Sequence, residues 1–294
     1  MPGTTPLSPT AQSATSFTPS IERFATHYER YNGSIGQGAN KSTHTAEVRF
    51  DSATHELAVV KAFSFLDKGW LNEAVAWTLG QAAGVAQPPK AVILVATLEE
   101  LSGMTEAEMV LARNLDAGRG EPIVFWCASR LATKPPQHLS SLSWENVVLR
   151  GSAGQRLAAF DGWIGNCDRI ASNAPYWAAR GVVAAIDHER LAFNQDWLAA
   201  APEHFDRMGI AETKLLERFH KAQKSNVFKP KQAREIASAL HSMSVEHAGH
   251  LANCRHDIEN RLLVNVSKKA SNDLLTFLSE RATDVYISER LGVV

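Results

Sequence analysis

The sequence has little cysteine, no long hydrophobic run and almost no net charge, and each absence excludes a class of protein. Three cysteines, an odd number spread widely along 294 residues, argue against a disulfide-stabilised scaffold and are typical of a reducing cytosol. No apolar stretch approaches the ~18 residues that a membrane-spanning helix needs. A formal net charge of -1 gives no electrostatic reason to expect a nucleic acid as the main partner. We therefore expect a cytoplasmic protein.

The composition is that of a globular protein. Hydrophobic residues make up 45% of the chain and charged residues 21%, and a chain of this length can bury a substantial core. The first 20 residues are rich in Ser, Thr and Pro and contain neither an apolar core segment nor an arginine. We expect them to form a disordered leader, because they match neither a secretory signal nor a transit peptide.

Hydrophobic periodicity predicts strands in the first half of the chain and helices in the second. This distribution indicates an α+β fold rather than an alternating parallel-sheet fold. The predicted strands are 44–50, 56–65, 90–98, 122–131 and 181–187. The predicted helices are 20–30, 71–84 with Asn72 as its cap, 105–116, about 154–163, and most of the chain from about 196 onward.

The stretch from Asp168 to Asp187 carries the most informative polar residues. Asp168 and Asn173 lie five residues apart on a predicted loop, and Asp187 ends a short apolar run. Phosphoryl transfer from ATP needs a carboxylate that orients or deprotonates the acceptor hydroxyl, and oxygen ligands for Mg²⁺. A D-x-x-x-x-N pair followed by an aspartate at a strand end supplies both. Alone, such a pair is more often a turn or a helix cap, so the hypothesis needs companion residues.

The first half of the chain supplies these companions. Lys61 lies within an apolar predicted strand, where an ammonium group needs a partner, and Glu73 near the start of the next helix could pair with it. Gly33, Gly36 and Gly38 could let backbone N–H groups approach phosphates closely. Each has an ordinary alternative: Lys61 could reach solvent from an edge strand, Glu73 could simply be a first-turn acid that the helix dipole stabilises, and the glycines could simply shape a loop. Their order along the chain is nevertheless that of protein kinases.

These motifs resemble those of HipA-like kinases, distant relatives of the phosphoinositide 3- and 4-kinases. Asn166-Cys-Asp-Arg-x-x-x-Asn173 and Ile186-Asp-His188 are similar to the catalytic and metal loops of that family. Ser34-Ile-Gly-Gln-Gly-Ala-Asn-Lys41 is similar to its serine-containing Gly-rich loop. The resemblance is strongest over residues 157–195 and weaker over residues 31–83.

The resemblance implies a role for each matching residue. Asp168 corresponds to the catalytic base, Asn173 and Asp187 to the magnesium ligands, and Lys61 to the lysine that contacts phosphate. Ser34 becomes a candidate autophosphorylation site. The implied acceptor is a serine or threonine of a protein, in a toxin–antitoxin or regulatory setting with an antitoxin or regulatory partner.

The chain also departs from the family pattern. Ile170 occupies a loop position where many members have histidine, and Asp187-His188-Glu189 replaces the conventional Asp-Phe-Gly. The segment before residue 31 has little room for the additional N-terminal subdomain of full-length HipA toxins. A compact variant, or one half of a split system, would account for this difference.

We therefore predict a two-lobed, protein-kinase-like fold that binds ATP and Mg²⁺. The first lobe, 21–125, would hold a small antiparallel sheet and the helix with Glu73, and the second lobe, 126–294, would be mainly helical. Gly36 and Gly38 would approach the phosphates. The predicted hinge against adenine comprises Phe125, Trp126 and Cys127.

Three alternatives stay open at this point. The phosphoinositide-kinase kinship is compatible with a lipid or small-molecule kinase, and the motifs are compatible with a pseudokinase module that binds nucleotide without turnover. Separately, His247, His250 and Cys254 share one predicted helix face, which could hold zinc, although partly exposed helix residues are the commoner explanation.

Overall fold

The computed structural model describes residues 18–35, 42–51, 54–102, 122–130, 140–167, 169, 173–177, 181–193, 213–225 and 227–283. These residues form an α+β fold in which a six-stranded mixed sheet precedes a mainly helical second half. The predicted α+β class is therefore confirmed. The helix predicted over 105–116 lies outside the described residues.

Six strands form the main sheet: β1 Ser20–Arg23, β2 Tyr28–Ser34, β3 His44–Arg49, β4 His55–Ser64, β5 Ala91–Ala96 and β6 Ile123–Ser129. Their order across the sheet is β1-β5-β6-β4-β3-β2. Strands β2, β3 and β4 form an antiparallel meander, and β6 pairs antiparallel with both β4 and β5. Because β1 pairs in parallel with β5, the sheet is mixed and not wholly antiparallel as predicted.

The helix predicted over residues 20–30 is wrong. The segment instead forms β1, a single helical turn α1 (Phe24–His27) and the start of β2. Phe24 packs on Phe125 of the sheet, with ring centroids 4.7 Å apart. Eleven residues are too few for apolar spacing to exclude a strand when sheet partners lie elsewhere in the chain. Ser20, the last residue of the predicted disordered leader, lies in β1.

Helix α2, Gly69–Ala82, covers one face of the sheet and agrees with the helix predicted over 71–84. Its residues 69–80 are all buried, as expected for a helix that is packed on every side. Side chains alternate along β4, so Phe63 packs on the α2 side while Val60 and Ala62 pack on the opposite face. The opposite face is covered by α1 and the short helix α3, Leu98–Leu101.

The second half of the structure packs directly on α2. One contiguous cluster of buried hydrophobic side chains includes residues from both halves, from Phe63 on β4 to Leu278 near the end of the described chain. The predicted lobe boundary between residues 125 and 126 falls inside β6. Strands β7 (Tyr176–Trp177) and β8 (Val182–Val183) are each two residues long. Strand β8 is therefore shorter than the strand predicted over 181–187. The helices are α4 Ser141–Arg150, α5 Ser152–Ile164, α6 Lys214–Lys224, α7 Pro230–Val245, α8 His247–Asp257 and α9 Lys268–Glu280.

Among the described residues, none of the helices combines the length and the apolar character needed to cross a bilayer.

Candidate active site

Lys61 lies at the centre of the site. Its Nζ donates to Glu73 Oε1 at 2.6 Å, to Asp187 Oδ1 at 2.7 Å and to Glu189 Oε1 at 2.9 Å. An ammonium group has three N–H donors, so each contact can use one of them. Burial alone lowers the pKa of Lys61, but the three carboxylates outweigh it and raise the pKa above its ordinary value. Lys61 is therefore charged at neutral pH, and its predicted pairing with Glu73 is confirmed.

Glu73 holds Lys61 from the buried helix α2. Its side chain is 2% exposed, and its second oxygen, Oε2, accepts a hydrogen bond from the backbone N of His188 at 3.0 Å. Burial raises the pKa of a carboxyl group, but here Lys61 and His188 prevail and lower the pKa of Glu73 to about 2. A single carboxylate thus joins the sheet lysine to the segment that contains Asp187.

Asp187 brings the second carboxylate from a distant part of the chain. Its side chain is 45% exposed, which makes it the most accessible partner of Lys61. The backbone of Asp187 has φ of 64°, a left-handed conformation that is uncommon outside glycine but tolerated by aspartate and asparagine. Such strained positions cluster at binding and catalytic sites.

Glu189 is the third carboxylate, and the sequence reasoning did not assign it a role. Asn72, predicted to cap α2, instead lies inside the helix and donates Nδ2 to the Glu189 carbonyl at 2.6 Å. Burial and the nearby carboxylates of Glu73 and Asp187 raise the pKa of Glu189, despite the opposing effect of Lys61. The sequence signal was a second acid two residues beyond Asp187, at the end of an apolar run.

Asp161 and Arg169 form a second feature that the sequence reasoning missed. Both side chains are fully buried, and Arg169 Nη2 lies 2.8 Å from Asp161 Oδ1. Helix α5 ends at Ile164 and is followed by Gly165, whose φ of 65° favours glycine and turns the chain into this loop. The signal was Asp161 itself, a charged residue within the apolar run Leu-Ala-Ala-Phe-Asp-Gly-Trp, where an unpaired carboxylate would be costly.

The structure describes some of the other predicted site residues but not all of them. Asn173 is buried, and its carbonyl accepts from Ile186 N at 3.2 Å, so its backbone lies beside the approach to Asp187. Ser34 is exposed at the end of β2. Three predicted residues lie outside the described part of the chain: Asp168, Gly36 and Gly38.

The predicted adenine hinge at Phe125, Trp126 and Cys127 needs correction. These residues occupy the middle of β6, which is paired on one side with β4 and on the other with β5. Backbone groups in a strand that is paired on both sides already hydrogen-bond to their neighbours, and all three side chains are buried in the core.

The zinc alternative on α8 finds no support in the geometry. His247 stacks on Trp163 with ring centroids 4.4 Å apart and planes 9° apart, while Cys254 Sγ donates to the His250 carbonyl at 3.1 Å. Within the described ranges, the only set of three potential metal-binding side chains with converging ligand atoms comprises Glu73, Asp187 and Glu189.

Comparison with known proteins gives no assignment for this site. No protein-family model matches the chain, and no curated protein matches it at a significant level.

Proposed function

We propose that the protein is an ATP- and Mg²⁺-dependent phosphotransferase with a two-lobed, protein-kinase-like fold. The observation that carries the proposal is the convergence at Lys61 Nζ of a carboxylate from helix α2 and two carboxylates from the 187–189 segment. Protein kinases use the same combination of strand lysine, helix glutamate and metal-binding aspartate. Residues far apart in sequence are here within hydrogen-bond distance of one atom.

The donor set near Lys61 suits Mg²⁺. Three carboxylates face one ammonium group, which leaves an excess of negative charge, and the raised pKa of Glu189 reflects this excess together with burial. Carboxylate and amide oxygens are the hard ligands that Mg²⁺ prefers. In the proposal, Asp187 and Asn173 hold Mg²⁺, which when bound neutralises charge on the phosphates.

Lys61 contributes the second cation. All three of its contacts are with carboxylates, so donating to a phosphate oxygen requires it to release at least one. Asp187 and Glu189 are the more exposed partners, whereas Glu73 is almost fully buried. Glu73 therefore keeps Lys61 in place while the 187–189 segment exchanges partners.

Asp168 completes the proposed chemistry. It would orient the acceptor hydroxyl for in-line attack on the γ-phosphate and accept its proton. The resemblance to HipA-like kinases favours a protein serine or threonine as acceptor. The same resemblance favours a toxin–antitoxin or regulatory setting and makes Ser34 the first residue to test for self-modification.

The proposal is tested by incubating the purified chain with ATP labelled at the γ-phosphate, with and without Mg²⁺. We expect Mg²⁺-dependent transfer of label that is lost in Asp168→Ala and in Lys61→Met. Mass spectrometry then shows whether Ser34 or another protein residue carries the phosphate. Label on a lipid extract alone would favour a lipid kinase, and nucleotide binding without any transfer would favour a pseudokinase module.

A further inference from the structure

One buried guanidinium group links the two segments that carry the proposed metal ligands. Arg169 donates Nε to Asp161 Oδ2 at 2.9 Å and Nη2 to Asp161 Oδ1 at 2.8 Å, a two-point contact that fixes the plane of the guanidinium. Both side chains are completely buried. Asp161 lies in the last turns of α5, so the rigid helix sets where the guanidinium sits.

The remaining nitrogen of Arg169 faces the site. Nη1 donates to the carbonyl oxygens of Asn173 and Ile186, both at 2.8 Å. The Asn173 carbonyl also accepts from Ile186 N at 3.2 Å, so the two backbones are held together at this point. Asn173 is itself a proposed ligand, and Ile186 immediately precedes the other, Asp187.

We propose that Asp161 and Arg169 form a positioning pair that sets the separation of Asn173 and Asp187, an inference that rests on the proposed metal site. Neither residue is accessible to substrate, so Asp161 acts only through Arg169, and Arg169 only through the two carbonyls that it contacts. Buried ion pairs contribute little net stability compared with apolar replacements, whereas ligand positions must be held within about 0.5 Å. The pair is thus better explained by its effect on the positions of the proposed metal ligands than by its effect on the stability of the fold.

The main test is Arg169→Lys, which keeps a positive charge beside Asp161 but cannot reproduce the planar contact with one carboxylate and two carbonyls. If this variant does not fold, Asp161→Asn combined with Arg169→Met removes both charges and keeps an oxygen at position 161 for Asn166, which contacts it at 3.3 Å. The matched control is Arg281→Met. Arg281 is a second buried arginine that donates to a carbonyl of the same helix, that of Gly162 at 2.8 Å.

Two readouts separate positioning from general loss of structure. Hydrogen exchange of the Ile186 amide should be at least about tenfold faster in the Arg169 variants, whereas amides of α2 exchange as in the wild type. The Mg²⁺ concentration for half-maximal ATP consumption should rise about 10- to 100-fold, as is usual when groups that orient metal ligands are removed. Arg281→Met should change neither.

The outcomes are distinct. Unchanged exchange at Ile186 in a folded Arg169 variant overturns the inference, as does faster exchange with an unchanged Mg²⁺ requirement. Equally faster exchange throughout the protein also overturns it, since the pair would then only stabilise the fold. Should the wild type show no transfer at all, the proposed function fails, and the exchange of Ile186 alone decides whether the pair holds the two segments.

Discussion

Lys61 Nζ and Asp187 Oδ1 lie 2.7 Å apart although 126 residues separate them in sequence. A strand residue of the sheet and a loop residue of the helical half therefore meet at one point. The opposite result, with Lys61 and Asp187 on separate surfaces, would have ended the phosphotransferase hypothesis. Because Lys61 and Asp187 are in contact, the phosphotransferase hypothesis can be tested by substituting the residues of the site.

Replacing Lys61 should cost both activity and stability. Lys61→Met leaves Glu73 as a buried carboxylate without its main partner, and breaking a buried pair in this way typically costs about 3–5 kcal/mol. Lys90→Met is the matched control, because Lys90 also contacts two carboxylates, Asp51 and Glu56, but is much more exposed. It should change the free energy of unfolding by less than about 1 kcal/mol. Urea unfolding of both variants checks this, and equal losses would contradict the central role of Lys61.

Glu189→Gln should change how stability depends on pH. Because the folded state raises the pKa of Glu189, the stability linked to its protonation is present below the ordinary value of 4.5 and is lost as pH rises through the folded value. The wild type should therefore lose stability relative to Glu189→Gln as pH rises above 4.5. Thermal unfolding at a series of pH values measures the difference in stability between the two proteins. A constant difference across the series would show that the folded state does not raise the pKa of Glu189.

The backbone of Asp187 predicts which substitutions are tolerated. Asparagine accepts a left-handed φ, whereas a β-branched residue does so only with strain, which costs about 1–3 kcal/mol. Asp187→Val should thus be less stable than Asp187→Asn by about 1–2 kcal/mol, and both should lose Mg²⁺-dependent transfer. Chemical denaturation ranks the two variants. If valine were tolerated as well as asparagine, the strained turn would not be a fixed feature of the site.

His247 offers a pH test away from the site. Burial, His250 and Arg156 lower the pKa of His247 to about 3, and within the described part of the chain its buried Nδ1 has no hydrogen-bond partner. The stability linked to neutral His247 is present above pH 6.5 and is lost as pH falls toward 3.

His247→Phe keeps the stacking on Trp163 but removes this titration. We expect melting temperatures of wild type and variant to diverge between pH 7 and pH 4, with the wild type falling faster. Parallel curves would mean that His247 is not held in its neutral form.

The elements that could be predicted from sequence were those with strong local patterns. The run around Lys61 is apolar on both sides and became β4, and the buried helix with Glu73 was found with its bounds shifted by about two residues. Residues 20–30 were predicted wrongly because their three- and four-residue spacing is too short a signal to outweigh pairing with β5 and β3. Local spacing carries no information about such partners.

The site was predictable only in part for the same reason. The order of Lys61, Glu73 and Asp187 along the chain matches that of protein kinases, so the sequence alone is enough to propose their roles. Glu189 and the Asp161–Arg169 pair belong to no such pattern. Their importance follows from burial and from contacts across the fold, neither of which sequence spacing specifies.

The central claim is tested most directly by one measurement, the transfer of label from γ-labelled ATP by the wild type and by Asp168→Ala, each with Mg²⁺ and with excess chelator. The account predicts transfer only for the wild type with Mg²⁺, and a folded, inactive Asp168→Ala. Equal transfer by a folded Asp168→Ala, or transfer by the wild type that is indifferent to chelation, would contradict it.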